Sequence, residues 1–454
     1  MSPAPRRSSS ALALAAAVLS LACPAVAVAN GRFPQAQQLV VDPTNPAHIT
    51  VQTTYGFIDT PNGGKDWRWI CEDAAGYGGV LDPPLTILGD GTLIAGVFNG
   101  LSVSTNQGCD FSFAMASAPA TCQSTLTNLD GRFVVDVAQK PGDPSSAIAI
   151  TSNGCGGQLF DTRVWTSTDN GKTWATAGVP LPQAFLALTV DIAPTATGAP
   201  GEYYASGFRV VSATDYRGAL VHTVDGGATW QSVDIAGSNN LTPPYIAAID
   251  PNDHKTVYVR FSSDQGALLV THDSGTTFTN VLNAQGQLMA FALSPDGKTI
   301  LTGGPIDGVL RASVADFKFT PVSPIHARCL TWSGSTVYAC ASEASDGFTI
   351  GKSADQGATF TPIHHLSCLE GPVGCAASSA VATKCAGPWA TVASTIQTDT
   401  CTSSYAASSS SSSSGGNAMV KGGCATAPGG TDDAALVPLL AIGAALLTRR
   451  SRRA

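Results

Sequence analysis

Charge is what this sequence has least of: Asp, Glu, Lys and Arg together make up 12% of 454 residues. Long surface helices draw on Glu, Lys and Arg, so the shortage argues against a fold built from them. Basic residues are the scarcer sign, 24 against 32 acidic, for a net charge of −8. Without the two end segments described below, the balance is 18 basic to 30 acidic residues. A body of that sign repels phosphate backbones and excludes nucleic acid as a natural partner. Catalytic and metal-binding signatures are missing too. There is no H-E-x-x-H, no C-x-x-C, no G-x-S-x-G and no P-loop, and the seven His are scattered apart from the pair His364-His365. No metal site and no cofactor are therefore expected. No apolar run is long enough to span a membrane comfortably.

Gly, Ser, Thr and Ala are abundant, and they recur in a pattern. The stretch S-T-D-N-G-K-T-W (Ser167 to Trp174) returns as T-V-D-G-G-A-T-W (Thr223 to Trp230), T-H-D-S-G-T-T-F (Thr271 to Phe278) and S-A-D-Q-G-A-T-F (Ser353 to Phe360). Looser copies are T-P-N-G-G-K-D-W (Thr60 to Trp67) and S-T-N-Q-G-C-D-F (Ser104 to Phe111). Ahead of each copy stand alternating, strand-like runs entered through turn formers such as Asp42-Pro43, Asp250-Pro251 and Pro295-Asp296-Gly297. Each unit offers about four short antiparallel strands, the content of one propeller blade. The closing aromatics Trp67, Phe111, Trp174, Trp230, Phe278, Phe319 and Phe360 count seven units. The sixth is degenerate, with Val314-Ala315-Asp316-Phe317 where the motif belongs, so six blades is the alternative. The expected fold is an all-β, seven-bladed β-propeller of four-stranded antiparallel blades.

The repeated octapeptide has a physical reading as a turn between the outer two strands. Asp169, Asp225, Asp273 and Asp355 accept hydrogen bonds from backbone N–H groups of their own turns. Gly171, Gly227, Gly275 and Gly357 take the left-handed conformation, and Trp174, Trp230, Phe278 and Phe360 fold over the turn as apolar plugs. Asn62 and Asn106 replace Asp in the first two copies and should hold those turns less firmly. One carboxylate per turn is far short of a calcium site. These residues are read as structural, and no catalytic residue is assigned.

The octapeptide resembles the Asp-box, or BNR repeat. That resemblance implies the propeller fold and brings the sialidases into view, which use three Arg, a Tyr with a Glu partner and an Asp acid. Gly31-Arg32-Phe33-Pro34 keeps only part of their first Arg motif, and Arg209, Arg260, Arg311 and Arg328 stand in no matching context. The rhythm from Leu39 to Phe360 is more similar to sortilin-like receptors and photosystem assembly factors, which lack a hydrolytic centre. The resemblance therefore implies non-catalytic binding of a protein or glycan ligand. A sialidase-type glycoside hydrolase is the alternative, and a structural envelope component a second one.

The ends carry addresses. Residues 1–29 read as a signal peptide: Arg6-Arg7, the apolar run from Ala11 to Ala22, then Ala27-Val28-Ala29 before the cut. The propeller is expected over 30–363, a Cys-rich closing segment over 364–404, a Ser/Gly-rich linker over 405–423 and a tail over 424–454. That tail joins Cys424, the fourteen-residue stretch from Ala434 to Leu447 and an Arg cluster, and it is similar to the MYXO-CTERM sorting tails. At about 1.5 Å per residue, fourteen residues make about 21 Å of helix, short of a hydrocarbon core of about 30 Å. An exported monomer attached to the cell envelope through its tail, with Cys424 as the processing site, is the expectation. Export favours disulfides. Cys329 and Cys340 flank the turn Ser333 to Thr336 and should be bonded. Cys71, Cys109, Cys122 and Cys155 are expected to tie the first three blades together, and Cys368, Cys375, Cys385 and Cys401 to staple the closing segment.

Overall fold

Seven sheets follow one another along the chain, each a four-stranded antiparallel meander with its strands in sequence order. In the computed structural model, which describes residues 33–78, 81–118, 128–194, 201–397 and Cys401, they occupy residues 36–70, 85–113, 134–176, 185–234, 244–283, 290–323 and 329–364. The innermost strands are β1 (Ala36–Val41), β5 (Leu85–Ile87), β9 (Val134–Gln139), β13 (Phe185–Ile192), β17 (Pro244–Ile249), β21 (Ala290–Leu293) and β25 (Cys329–Ser333). Each touches the next, and β25 touches β1, so the sheets close into a seven-bladed propeller. The segments read from the sequence as a signal peptide, a Ser-rich linker and a sorting tail, with Cys424, lie outside the described residues.

Burial explains the strand sequences. The middle strands of a blade are covered on both faces, so segments such as Leu93–Val97 and Ala267–Thr271 are buried at every position. Outer strands such as Gln231–Asp234 are largely exposed and polar. Adjacent inner strands form no ladder with one another, and side chains bridge them instead. In blades one, three, four and five the inner strand carries a bulge. In the first three of these the residue just after the bulge reaches the next blade's main chain. Gln38 exchanges two bonds with Leu85 at 3.0 and 2.9 Å, Asp136 accepts from Val190 N–H at 2.9 Å, and Thr189 accepts from Ile246 N–H at 3.0 Å. Thr331 donates to the Leu39 carbonyl at 2.7 Å across the closing seam. Backbone groups that the meander leaves without a ladder partner are satisfied in this way.

The closing seam has a second layer. After the seventh blade the chain crosses to the outer edge of blade one, where Trp69 N–H donates to Gly371 at 2.7 Å and Val373 N–H to Trp69 at 2.9 Å. Two helices follow, α2 (Ala380–Lys384) and α3 (Ala386–Ile396), numbered after the short α1 (Glu343–Asp346) of blade seven. Trp389 of α3 packs on Trp69 with ring centroids 5.7 Å apart. This clasp covers a strand edge that would otherwise be free to pair with another chain. At the same seam Trp67 donates to the Ile363 carbonyl at 2.9 Å and packs against the fully buried His364, whose two ring nitrogens have no hydrogen-bond partner among the described residues. Burial pushes that imidazole down to about 3.

The disulfides correct the sequence reading. Cys71 bonds Cys385 and Cys109 bonds Cys375, so both tie the first two blades to the clasp and not to each other. Only Cys368 and Cys401 pair within the closing segment. Cys155 is also disulfide-bonded, and Cys122 lies outside the described residues. Cys329 and Cys340 are bonded across their hairpin, with Cα atoms 4.8 Å apart in direct register.

Candidate functional site

A four-stranded meander sends its first and third turns to one face of the ring, here termed lower, and its middle hairpin and the link to the next blade to the upper face. Every residue assigned from the octapeptide sits in a lower-face third turn. Asp169 accepts from Ser167 Oγ and Thr173 N–H, both at 2.9 Å, and from Thr173 Oγ1 at 2.6 Å, while Gly171 N–H donates to Ser167 Oγ at 3.0 Å. Asp225, Asp273 and Asp355 repeat the pattern with Thr229, Thr277 and Thr359. The threonine bonds hold Asp225 and Asp355 down at about 2.

In the first two turns the polarity is reversed and the bond kept. Asn62 and Asn106 still accept from the N–H of Asp66 and Asp110, at 3.1 and 2.9 Å. Their amides then donate to the carboxylates of those same aspartates at 2.8 and 3.0 Å. The expected loosening has no counterpart in the bonding, because Asp at the seventh position replaces the Thr of the other turns. Asp110 also accepts from Ala380 N–H at 2.7 Å, at the start of α2.

These turns hold more than themselves. A Cβ on Gly171 (φ +74) would lie 2.8 Å from Ile94 of the preceding blade, and one on Gly275 (φ +93) 2.7 Å from Leu220 of its predecessor. Trp230 donates to Val179 at 3.0 Å across the same kind of seam, whereas Trp174 donates to Gly171 within its own turn. Phe278 and Phe360 are partly buried against clusters that their own blades share with the preceding ones. In blade six the turn is one residue shorter, and Phe317 takes the left-handed conformation at φ +48. The first turns are knitted to the third: Asn170 N–H donates to Ser145 at 2.9 Å and Ser274 N–H to Lys255 at 3.0 Å.

The upper face is built differently. Leu159, Val211, Leu241 and Ile306 stand at its loops with 42 to 69% of their surface exposed. The longest hairpin, formed by Ala147–Gly156 and Leu159–Ser167, rests on a buried charge triad that the sequence did not reveal. Asp161 lies between Arg132 Nη1 at 2.8 Å and Arg163 Nε at 2.9 Å, and the Arg132 guanidinium stands 5.9 Å from the Trp165 ring. Between blades one and two is a hollow of about 370 Å³ lined by Asp73, Gly76, Tyr77, Gly78, Phe98 and Asn99. A second, of about 410 Å³, flanks Ile306 and Asp307 on blade six.

The sialidase constellation does not assemble among the described residues. Arg209 is paired with Asp234 on blade four, Arg260 lies over Tyr245 and donates to Leu288 at 2.7 Å, and Arg311 points to the Asp355 carbonyl at 3.5 Å. Arg328 precedes the seventh inner strand, and Arg32 lies outside the described residues. A Tyr and Glu do meet, Tyr204 and Glu202 at 3.1 Å, but on the lower face with His222 stacked on the ring. Burial pushes that phenol up, the opposite of what a nucleophile requires. Near the ring centre Asp136 is pushed up to about 7 by burial, and Asp191 to about 8 by burial and then by the Asp136 charge. Both keep intermediate solvent exposure.

No protein-family model matches the sequence, and no curated protein is similar to it. Solved structures do match. An ancestral GH74 enzyme is 15% identical over 68% of this chain, with a TM-score of 0.47. YCF48 from Cyanidioschyzon merolae is 15% identical over 68% of this chain and 93% of its own, with a TM-score of 0.45. A YCF48 structure with a bound D1 peptide is 13% identical over 69% of this chain and 90% of its own, with a TM-score of 0.41. The chain spans only 44% of the GH74 enzyme it matches. At such identities the likeness is one of fold.

Proposed function

We propose that this chain is an exported, non-catalytic propeller that binds a protein or glycan ligand on its upper face. The observation that carries the reading is the contrast between the faces. Lower-face turns bond to themselves, to each other and to the preceding blade and expose Val224, whereas the upper-face loops present Leu159, Val211, Leu241 and Ile306 and two hollows, the usual ingredients of a recognition surface. The octapeptides are read as Asp-box repeats whose role is to hold turns and seams. Residues 1–29 direct export, and residues 424–454 fix the protein to the envelope.

The test compares two triple variants matched in melting temperature. Leu159→Ser/Val211→Ser/Ile306→Ser alters the upper face, and Lys65→Ser/Val224→Ser/Lys318→Ser alters the lower one. Binding of labelled protein to cell-envelope fractions should fall about tenfold or more in the upper set alone. Loss confined to the lower set would reverse the assignment of the faces.

A further inference from the structure

We propose that the hollow between blades one and two binds a neutral pyranose ring, an inference that rests on the upper-face binding reading and gives it a chemical class. Phe98 supplies a flat apolar wall. It is half-buried and fixed by stacking on Phe133, with centroids 5.2 Å apart and planes at 26°. A ring of that kind suits the C–H face of a sugar. At the rim stand Asp73 and Asn99, both exposed and neither side chain engaged in a hydrogen bond within the described protein. A carboxylate accepts from two hydroxyls, and an amide both donates and accepts, which matches a pair of neighbouring sugar hydroxyls. A volume of about 370 Å³ lies at the small end of ligand pockets and suits one or two sugar rings.

Charge narrows the class further. Lys384 places its ammonium on the Asp73 carbonyl at 3.1 Å, so a cationic ligand meets repulsion beside the carboxylate that would attract it. An anionic ligand meets Asp73 itself. A neutral, hydroxyl-rich ligand avoids both penalties.

Both walls are also rigid in advance. The 71–78 segment is pinned by the Cys71–Cys385 bond, by Ser102 Oγ donating to Ala75 at 2.6 Å, and by Tyr77 against Phe57 at 5.5 Å. The 98–99 hairpin is pinned by Gly131 N–H donating to Asn99 at 2.8 Å. A site held this way loses little entropy on binding. The second hollow, beside the exposed Ile306, shows no aromatic wall.

The test is titration calorimetry of the intact protein with a panel of methyl pyranosides and their neutral oligosaccharides. At least one should bind with an affinity insensitive to salt, and Phe98→Leu and Asn99→Ala should each weaken it about tenfold or more at unchanged melting temperature. Val224→Ser, on the lower face, should leave it unchanged. Failure of every pyranoside to bind, or full affinity in Phe98→Leu, overturns the inference. If the upper-face triple variant still loses envelope binding in that event, the binding reading survives without the sugar. If it does not, both fall.

Discussion

The two faces of this ring are made from the same blades, yet they handle their polar groups in opposite ways. On the lower face a short vocabulary repeats. A hydroxyl, a carboxylate or amide, and a tight glycine account for the turn's own N–H groups, and the glycine and the aromatic reach toward the blade before. On the upper face each loop is different, and its buried polar groups are satisfied once, by non-repeating partners such as Arg132, Asp161 and Arg163. Repetition is affordable where the only task is to hold the ring. Individuality, and the exposed Leu241 and Ile306, collect where nothing in the repeat demands them.

The sharpest way to break this comparison is at the triad. Asp161→Ala leaves two buried guanidinium groups without their counter-charge and should cost about 3 to 5 kcal/mol in denaturant titrations, more than any single lower-face change. A loss below about 1 kcal/mol would mean that the upper face is no more singular in its construction than the lower.

The closing seam sharpens the comparison from outside either face. His364 stays neutral in the fold down to about 3, while the unfolded chain takes up its proton below an ordinary value of 6.5. Its folded value is the lower one, so stability should be lost as pH falls through that window, at about 1.4 kcal/mol per pH unit from this group. His364→Phe should flatten that acid dependence relative to the parent when melting is followed against pH. An identical slope in both proteins would remove His364 from the account.

On the lower face the test is a swap. Asn62→Asp sets a second carboxylate against Asp66 and should cost about 1 to 2 kcal/mol, and adding Asp66→Thr should recover most of it. Additive losses in that double-mutant cycle would show that the reversed polarity of the first two turns is not a coupled pair. The smallest expected effect is Ile306→Ser, within about 0.5 kcal/mol of the parent in stability. A larger loss would mark Ile306 as part of the packing and not of a free surface.

The fold was legible because its signals are local. Turn chemistry at Asp42-Pro43 or Ser167 to Trp174, and alternation between turns, need no knowledge of distant residues. The Cys329–Cys340 bond was legible for the same reason, since one hairpin fixes its geometry. Cys71–Cys385 and Cys109–Cys375 were not, because 314 and 266 residues separate their partners and only the closed ring brings them together. The hollow was invisible for a related reason: Asp73 and Phe98 lie on two loops that share no motif. One signal was present and overlooked. Asp66 and Asp110 replace the usual Thr in the two turns where Asn replaces Asp, and that paired change was in the sequence throughout.

The Cys368–Cys401 bond has a mechanical consequence. It links residues 33 apart in sequence, one just after the last strand and the other where the chain leaves the clasp. Tension applied through the residues beyond Cys401 would enter the sulfur bridge and pass directly to Cys368 and the outer strand Thr361–His364. The segment between these two cysteines, with both helices, sits in a covalent side loop, itself tied to the ring by Cys71–Cys385 and Cys109–Cys375, and the bridge offers the pull a shorter path past it. A propeller tethered this way could be tugged hard at its tail without the pull peeling the clasp from blade one.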